Sequence, residues 1–356
     1  MTDTSRPAPP DGPTLADLPP GWSARRPDAE DAPALHALLT SHEVAVTGSA
    51  STHRSAVDAL LVPRTDARRH VLAVDEHGRV RAWASAYDRA VGRVVAQVLV
   101  DPDLDDATAD TVAAAGFAWV EDAARAIARA RGLEVTQADS GAFQADERQQ
   151  RWLAAAGYRH ARSWLQMVRP TSPRDADASA GADAPPPARV RVRRVRRGED
   201  GMPDGADLMA VHVVLEESFT DHFNYHPEPF DDLVSRLRAD PGHRWDHWWL
   251  AESVDADRPS RPVGALVATV SPGHDGAPDG TYVAYLGVLR SARGRGAARA
   301  LLDAAVADAA RRGRGHVSLE VDADSPTGAD RLYEALGFRT AVTTQSWHRD
   351  VRVADA

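Results

Sequence analysis

Residues 171–188, reading TSPRDADASAGADAPPPA, hold almost no large apolar side chain and end in three prolines. Such a stretch buries too little surface to offset its ordering entropy, and proline stiffens its end. It reads as a linker dividing the 356 residues into two stretches, 20–170 and 189–356, each the size of a single domain. Residues 1–19 are rich in proline and lack periodicity, so a disordered tail is expected there.

The two stretches share an order of elements. In the first, Trp22–Arg26 reads as a strand and Ala29–Leu39 as a helix with proline in its first turn. His70–Asp75 and Val80–Tyr87 read as a hairpin about Glu76-His77-Gly78, and Gly92–Val100 as a further strand. A long Ala-rich helix (Ala107–Ala130), a strand (Leu133–Ala138), a helix (Asp146–Ala156) ending at Gly157, and a final strand or pair (Tyr158–Arg169) follow. The second stretch repeats this: strand Val190–Arg196, helix Asp207–Glu216, strands Trp248–Ser253, Gly264–Val270 and Thr281–Leu289, and helix Gly296–Arg312. Strand His316–Asp322, helix Thr327–Leu336 ending at Gly337, and strand Phe338–Val351 complete it. Gly157 and Gly337 stand 180 residues apart. A matching order at a near-constant offset predicts duplication of one α+β module, a mixed twisted sheet flanked by helices.

Composition excludes several chemistries. The chain has no cysteine, which removes disulfides, thiolate metal sites and a cysteine nucleophile. Its net charge of −10 argues against nucleic acid or an anionic membrane as partner. The N-terminus lacks the basic-then-apolar order of a secretory signal, and no run approaches the roughly 20 apolar residues of a membrane span, so a cytoplasmic protein is expected. No pattern sets an oligomeric state.

The most informative segment runs from Leu286 to Leu302. A strand enters a turn containing Gly294 and Gly296 and passes directly into an apolar-periodic helix. Several unpaired N–H groups of a helix start then converge on one point, and the helix dipole favours an anion there. Small Ala297 and Ala298 leave the entrance open, while Arg293 and Arg295 offer ionic contacts to phosphate oxygens. A Walker loop is excluded because no Gly-Lys-Ser/Thr follows, and a dinucleotide fingerprint because its three-glycine spacing is missing.

Arg293-x-x-Gly296-x-Ala298 resembles the Arg/Gln-x-x-Gly-x-Gly/Ala pyrophosphate motif of the GNAT (GCN5-related) N-acetyltransferases. The segment from Asp324 through Leu332-Tyr333 to Gly337-Phe338 is similar to that family's closing Asn…Leu-Tyr…Gly-Phe run. Residues 189–356 carry this resemblance, and 20–170 share only the element order and a closing Ala-Gly157-Tyr158. The duplicated arrangement resembles tandem GNAT proteins of actinobacterial type, the mycothiol synthase group among them. The resemblance implies acetyl-CoA as co-substrate, its pantetheine arm along Leu286, Gly287 and Val288, and its pyrophosphate on Arg293, Gly294, Arg295, Gly296, Ala297 and Ala298. Ser325 or Asp324 stands where many relatives have Asn.

By the same resemblance, Tyr333 serves the departing sulfur, since a phenol stays protonated at neutral pH. For a base, the strand Thr281–Leu289 contains no carboxylate. The polar run Glu216–Glu228 walls the acceptor pocket in this fold and offers Glu217, Asp221, His222 or His226. A metal is not expected, because adjacent Asp221 and His222 diverge and no further ligand spacing supports one. Trp245, Trp248 and Trp249 read as core, and Arg191–Arg197 as an edge or half-exposed strand.

The first stretch reads as degenerate. Where the second has Arg293–Ala298, it has Val100-Asp-Pro-Asp-Leu-Asp-Asp-Ala107, whose carboxylates repel a diphosphate. Leu153 stands at the Tyr333 position. The expected activity is acetyl-CoA-dependent transfer of an acyl group to a primary amine of a small molecule or peptide by direct attack. The alternative is a non-catalytic acyl-CoA-binding regulatory module.

Overall fold

A computed structural model describes residues 15–61, 68–177, 190–220, 228–239, 243–254, 259–273, 276–325 and 328–353. The chain forms two compact units, Met1–Trp164 with Val342–Ala356, and Leu165–Ala341.

Unit 1 contains β1 (Ser23–Arg25), α1 (Ala32–Thr47), α2 (Arg54–Leu61), β2 (Arg68–Val74), β3 (Val80–Ala90), β4 (Arg93–Val100), α3 (Asp106–Ala130), β5 (Val135–Phe143) and α4 (Glu147–Ala155). The next strand, β6 (Arg159–Pro170), begins in unit 1 and continues into unit 2. Unit 2 goes on with α5 (Pro173–Asp177), β7 (Val190–Arg194), α6 (Gly205–Phe219), α7 (Phe230–Ala239), β8 (Trp248–Ser253), β9 (Pro262–Ser271), β10 (Gly280–Val288), α8 (Ala297–Arg311), β11 (His316–Asp322) and α9 (Ala329–Ala335). The last strand, β12 (Arg339–Arg352), runs antiparallel to β5 from Thr344↔Phe143 to Arg352↔Val135.

Within unit 1 the strand order is β1-β2-β3-β4-β5-β12, and within unit 2 it is β7-β8-β9-β10-β11-β6. In both, the antiparallel meander gives way to one parallel pair, β4 with β5 and β10 with β11. Period-two alternation sorts the side chains between two faces. In β2, Val71 and Ala73 join the core under α3, while Leu72 and Val74 join that under α1 and α2. In unit 2, Leu266 and Ala268 of β9 pack with α8, whereas Ala265 and Val267 pack with α6 and α7.

The contiguous division at 171–188 does not match the compact units. The strand that completes unit 1 comes from the chain's end, and residues 165–170 complete unit 2. This exchange keeps the repeat intact: Met167 and Trp347, 180 residues apart, pack on the cores of units 2 and 1 respectively. Hydrophobic patterning shows which face a strand buries and says nothing about which sheet receives it.

The start of the expected linker is folded. Residues 173–177 form α5, Thr171 N–H donates to the Gly315 carbonyl at 3.0 Å, and Arg169 pairs with Asp175 at 2.7 Å. The remainder of the linker, 178–188, lies outside the described residues, as do residues 1–14 of the expected tail. Leu15 and Leu18, placed in that tail, pack against the unit 1 core. Helices α2 and α7 were not expected either.

One ionic knot fixes α6 against the edge strand β7. Buried Asp207 accepts from Arg193 at 2.6 and 2.9 Å, from the Arg196 backbone at 2.8 Å and from its guanidinium at 2.8 Å. Burial alone would raise this carboxyl, but the two arginines hold it well below the usual carboxylate range. Arg193 also bonds Glu252, so the basic run serves structure. Trp248 and Trp249 are buried core, and Trp245 packs beside Trp248.

Candidate active site

The parallel ladder of β10 and β11 runs from Gly280↔His316 to Val283↔Leu319, beyond which β10 continues to Val288 and β11 to Asp322 without pairing to each other. At the same point the register of β10 against β9 shifts between Val283 and Tyr285. A bulge there inserts Ala284, bends the strand and frees backbone groups from the ladder. Leu286, Gly287 and Val288 lie on the segment that has left β11, and Leu286 and Val288 are half-buried. Gly287 lets α6 approach closely, since a Cβ there would stand 3.0 Å from the Ser218 side chain.

A short turn, Arg290–Ala292, leads from β10 to α8. Gly296 is the N-cap of α8 at φ 82°, and no side chain caps the helix. Gly294 also has positive φ, at 72°. Such conformations cost an L-residue roughly 1–2 kcal/mol, which is why glycine stands at both positions. Space beside both is open, and Arg293 and Arg295 are exposed around them, with Ala297 buried beneath and Ala298 half-buried. An uncapped helix start in open space, flanked by exposed guanidinium groups, fits a diphosphate. Ser325 is half-buried in the turn after β11, where its N–H donates to the Asp322 carbonyl at 3.1 Å.

Tyr333 on α9 is buried beside Phe338, with ring centroids 6.0 Å apart, in the core shared by α8 and β11. Burial pushes its phenol up to about 12, so it keeps its proton across the physiological range. Glu217 is exposed on α6, whereas its neighbour Glu216 is half-buried and lies 3.5 Å from the Glu228 N–H. Asp221, His222 and His226 lie outside the described residues. Among the described residues no cluster of three or more His, Cys, Asp or Glu side chains is arranged to hold a metal.

Unit 1 has the same frame with different contents. Its parallel ladder runs from Arg93↔Gln137 to Val95↔Asp139, and β4 continues to Val100. The β3–β4 register is unbroken from Ala82↔Val100 to Asp88↔Val94, so the bulge is missing there. The N-cap of α3 is Asp105, whose carboxylate accepts from the Thr108 N–H at 3.0 Å. Gln149, buried on α4, donates its amide to the Val98 carbonyl at 3.1 Å, on the part of β4 that has left β5. Arg148 donates to the carbonyls of Pro102 and Leu104, both at 3.2 Å. At the 180-residue offset, Gln149 corresponds to Ala329 and Arg148 to Gly328. Sequence reasoning missed this substitution of side chain for opening, although the offset alone exposes it.

The acetyltransferase (GNAT) family model matches residues 211–338, from α6 to the residue before β12. Those residues form a GNAT acetyltransferase domain. The family's reaction is acyl transfer from an acyl-CoA, and the GNAT domain makes this protein an acyltransferase. Among solved structures, a GCN5-related N-acetyltransferase from Sphaerobacter thermophilus matches with a TM-score of 0.72 at 24% identity, over 94% of this chain and 97% of that one. A tandem GNAT protein from the clavulanic acid biosynthesis pathway matches with a TM-score of 0.60 at 14% identity, over 93% and 98%. The GCN5-related glucosamine N-acetyltransferase region of a fungal multidomain GH3 β-N-acetylglucosaminidase matches at 0.63 and 13%, over 93% of this chain and 38% of that one. These likenesses extend the GNAT fold across both units. No curated protein matches the sequence. Among the described residues, no helix is long and apolar enough to cross a membrane.

Proposed function

We propose that the GNAT domain transfers an acetyl group from acetyl-CoA to a primary amine of a small molecule or peptide. The observation that carries this reading is the uncapped start of α8, opened by Gly294 and Gly296. On this reading the N–H groups of residues 293–298, with Arg293 and Arg295, hold the diphosphate. The backbone of Leu286–Val288 pairs with the pantetheine arm, and Ser325 lies beside it.

Transfer proceeds by direct attack. The amine nitrogen bonds to the acyl carbon, the carbon–sulfur bond breaks, and the thiolate takes up a proton. Backbone N–H groups freed at the bulge stabilise the oxyanion. Tyr333, kept protonated by its burial, gives the proton to sulfur. The amine's own proton leaves toward the α6–α7 side, where Glu217 and His222 are the acceptors we assign. With no cysteine in the chain, no thiol is available for a covalent acyl intermediate.

Unit 1 is a degenerate module that neither binds the coenzyme nor transfers acyl groups. The domains of this account are a tail (1–19), the degenerate module (20–170), the connection (171–188) and the catalytic module (189–356), with closing strands exchanged. The arrangement fits the actinobacterial tandem group similar to mycothiol synthases, and the same reading puts the enzyme in the cytoplasm.

Release of CoA thiol from acetyl-CoA across a panel of primary amines tests the reading. Tyr333→Phe is expected to lower kcat by about a hundredfold while leaving acetyl-CoA affinity and melting temperature unchanged. Acetyl-CoA binding without turnover of any amine, indifferent to Tyr333→Phe, would instead establish a non-catalytic acyl-CoA-binding module.

A further inference from the structure

The register of unit 2 fixes one carboxylate at the point where its strands part. Leu319 of β11 holds the last rung with Val283, so Glu320 is the first residue of β11 beyond the parallel ladder. Val317, Leu319 and Val321 all pack in the core under α8. Side chains alternate along a strand, so Glu320 stands on the opposite face, the one on which α6 and α7 pack against β9. It is exposed. Across the parting, the residue of β10 that follows Val283 is Ala284, the site of the bulge. Glu320 thus borders the backbone groups assigned to the oxyanion, on the side toward which the amine's proton leaves.

The protein does not neutralise its charge. Among the described residues, the Glu320 carboxylate accepts one side-chain hydrogen bond, from the Gln166 amide on β6 to Oε2, and makes no ion pair. A neutral amide orients one oxygen and leaves the negative charge in place. Tyr282 and Ser318, which share a rung on the same face, are uncharged. Burial, and after it the charge of Glu320, push the Tyr282 phenol up, so it keeps its proton. Unit 1 differs at the same juncture. Asp139 holds the last rung of its parallel ladder, with Val95, and accepts from Arg93 Nε at 2.9 Å and from the Gln137 amide at 2.6 Å. There the chain supplies its own cation, and in unit 2 it does not.

Coenzyme and acceptor lying over the parting strip water from Glu320, and a carboxylate taken out of water needs an opposite charge. A primary amine is an ammonium at neutral pH and brings that charge, with donors for Oε1. An acceptor with a carboxylate beside its nitrogen meets repulsion instead.

We propose that Glu320 is the ammonium-binding residue of the acceptor site. It pairs with the protonated amine beside the acyl carbon, so the site favours amines that are cationic in solution. The bound ammonium then gives up one proton by the route assigned above, and the neutral nitrogen attacks. This rests on the reading of the GNAT domain as an amine acetyltransferase.

The test adds two pairs to the amine panel, each alike in size but different in charge at neutral pH: ethylamine with 2,2,2-trifluoroethylamine, and cyclohexylamine with aniline. CoA thiol release by the full chain gives KM and kcat for each. The cationic member of each pair is expected to show the lower KM. Glu320→Gln keeps the shape and removes the charge. It should raise the KM of every cationic acceptor about tenfold, with kcat, acetyl-CoA affinity and melting temperature unchanged. The KM of the uncharged members should not move, and Glu320→Asp should restore part of the loss. Added salt should raise the KM of cationic acceptors for the wild type and not for Glu320→Gln. KM values indifferent to charge within both pairs, or a Glu320→Gln that shifts both members alike, would overturn the proposal. So would a Glu320→Gln that lowers kcat with KM unchanged, which would make the residue the base. Acylation of uncharged amines alone would overturn it too. A chain that acylates no amine of the panel, or does not bind acetyl-CoA, would overturn the parent reading instead.

Discussion

Helices α3 and α8 open at the same point of their respective units, each after a strand that has parted from its parallel neighbour. At α3, the Asp105 carboxylate caps the helix, and Gln149 and Arg148 donate to the nearby carbonyls. At α8, Gly296 caps with no side chain, and Ala329 and Gly328 stand where the glutamine and arginine would be. Each orphaned backbone group at a helix end or strand opening needs a partner. Unit 1 supplies these partners from its own side chains, and unit 2 leaves its helix start open. The same frame thus accommodates a helix start satisfied by its own side chains and one left open.

The largest effect that separates the units is expected at Gly296. A Cβ there meets no neighbour, so the damage comes from forcing an L-residue to φ 82° and from placing a side chain over the N–H groups. Gly296→Val should weaken acetyl-CoA binding roughly a hundredfold by calorimetry, about 2.7 kcal/mol. Asp103→Ala, in the equivalent turn of unit 1, should leave it unchanged.

Acid should loosen both units, for separable reasons. His247 in unit 2 is fully buried between Asp246 Oδ1 at 2.8 Å and Arg314 Nη2 at 2.5 Å, and burial is the main force pushing it down to about 4. His70 in unit 1, stacked on Trp83, is pushed down to about 4 by burial and by Arg68. The unfolded chain takes up each proton near 6.5 and the folded chain only near 4, so stability is complete above 6.5 and falls as pH drops toward 4. Each histidine accounts for up to about 3 kcal/mol. His70→Gln and His247→Gln should each flatten the acid limb of the melting-temperature profile in one unit, read by near-ultraviolet dichroism.

Transplanting the closure is a finer test. Ala329→Gln should place an amide where Gln149 stands in unit 1 and weaken acetyl-CoA binding about tenfold, with the melting temperature preserved. An unchanged affinity would separate the closure of unit 1 from Gln149. The smallest effect is expected at Asp105→Ala, which removes one helix cap and should slightly lower the midpoint of chemical denaturation without altering coenzyme affinity.

Much of this was legible in the residues. The Gly294–Gly296 turn and its helix followed from local rules, because glycine at positive φ and apolar periodicity are properties of neighbouring residues. The four aspartates after Val100 likewise marked unit 1 as different. Two features were not legible. The exchange of β12 and the end of β6 depends on which sheet edge a strand reaches, and alternation is blind to that. The bulge at Ala284 leaves the local composition unchanged, so Tyr285 read as an ordinary strand residue. Tyr333 was expected beside the leaving sulfur, and the structure adds that it is packed in apolar core, which explains its raised pKa. The Gln149–Ala329 contrast lay within reach of the 180-residue offset, but its meaning needed the Val98 carbonyl.

Calorimetric titration of the full chain with acetyl-CoA addresses the asymmetry most directly. One molecule bound per chain, lost in Gly296→Val and kept in Asp103→Ala, is the predicted result; two bound per chain, or binding that survives Gly296→Val undiminished, would contradict it.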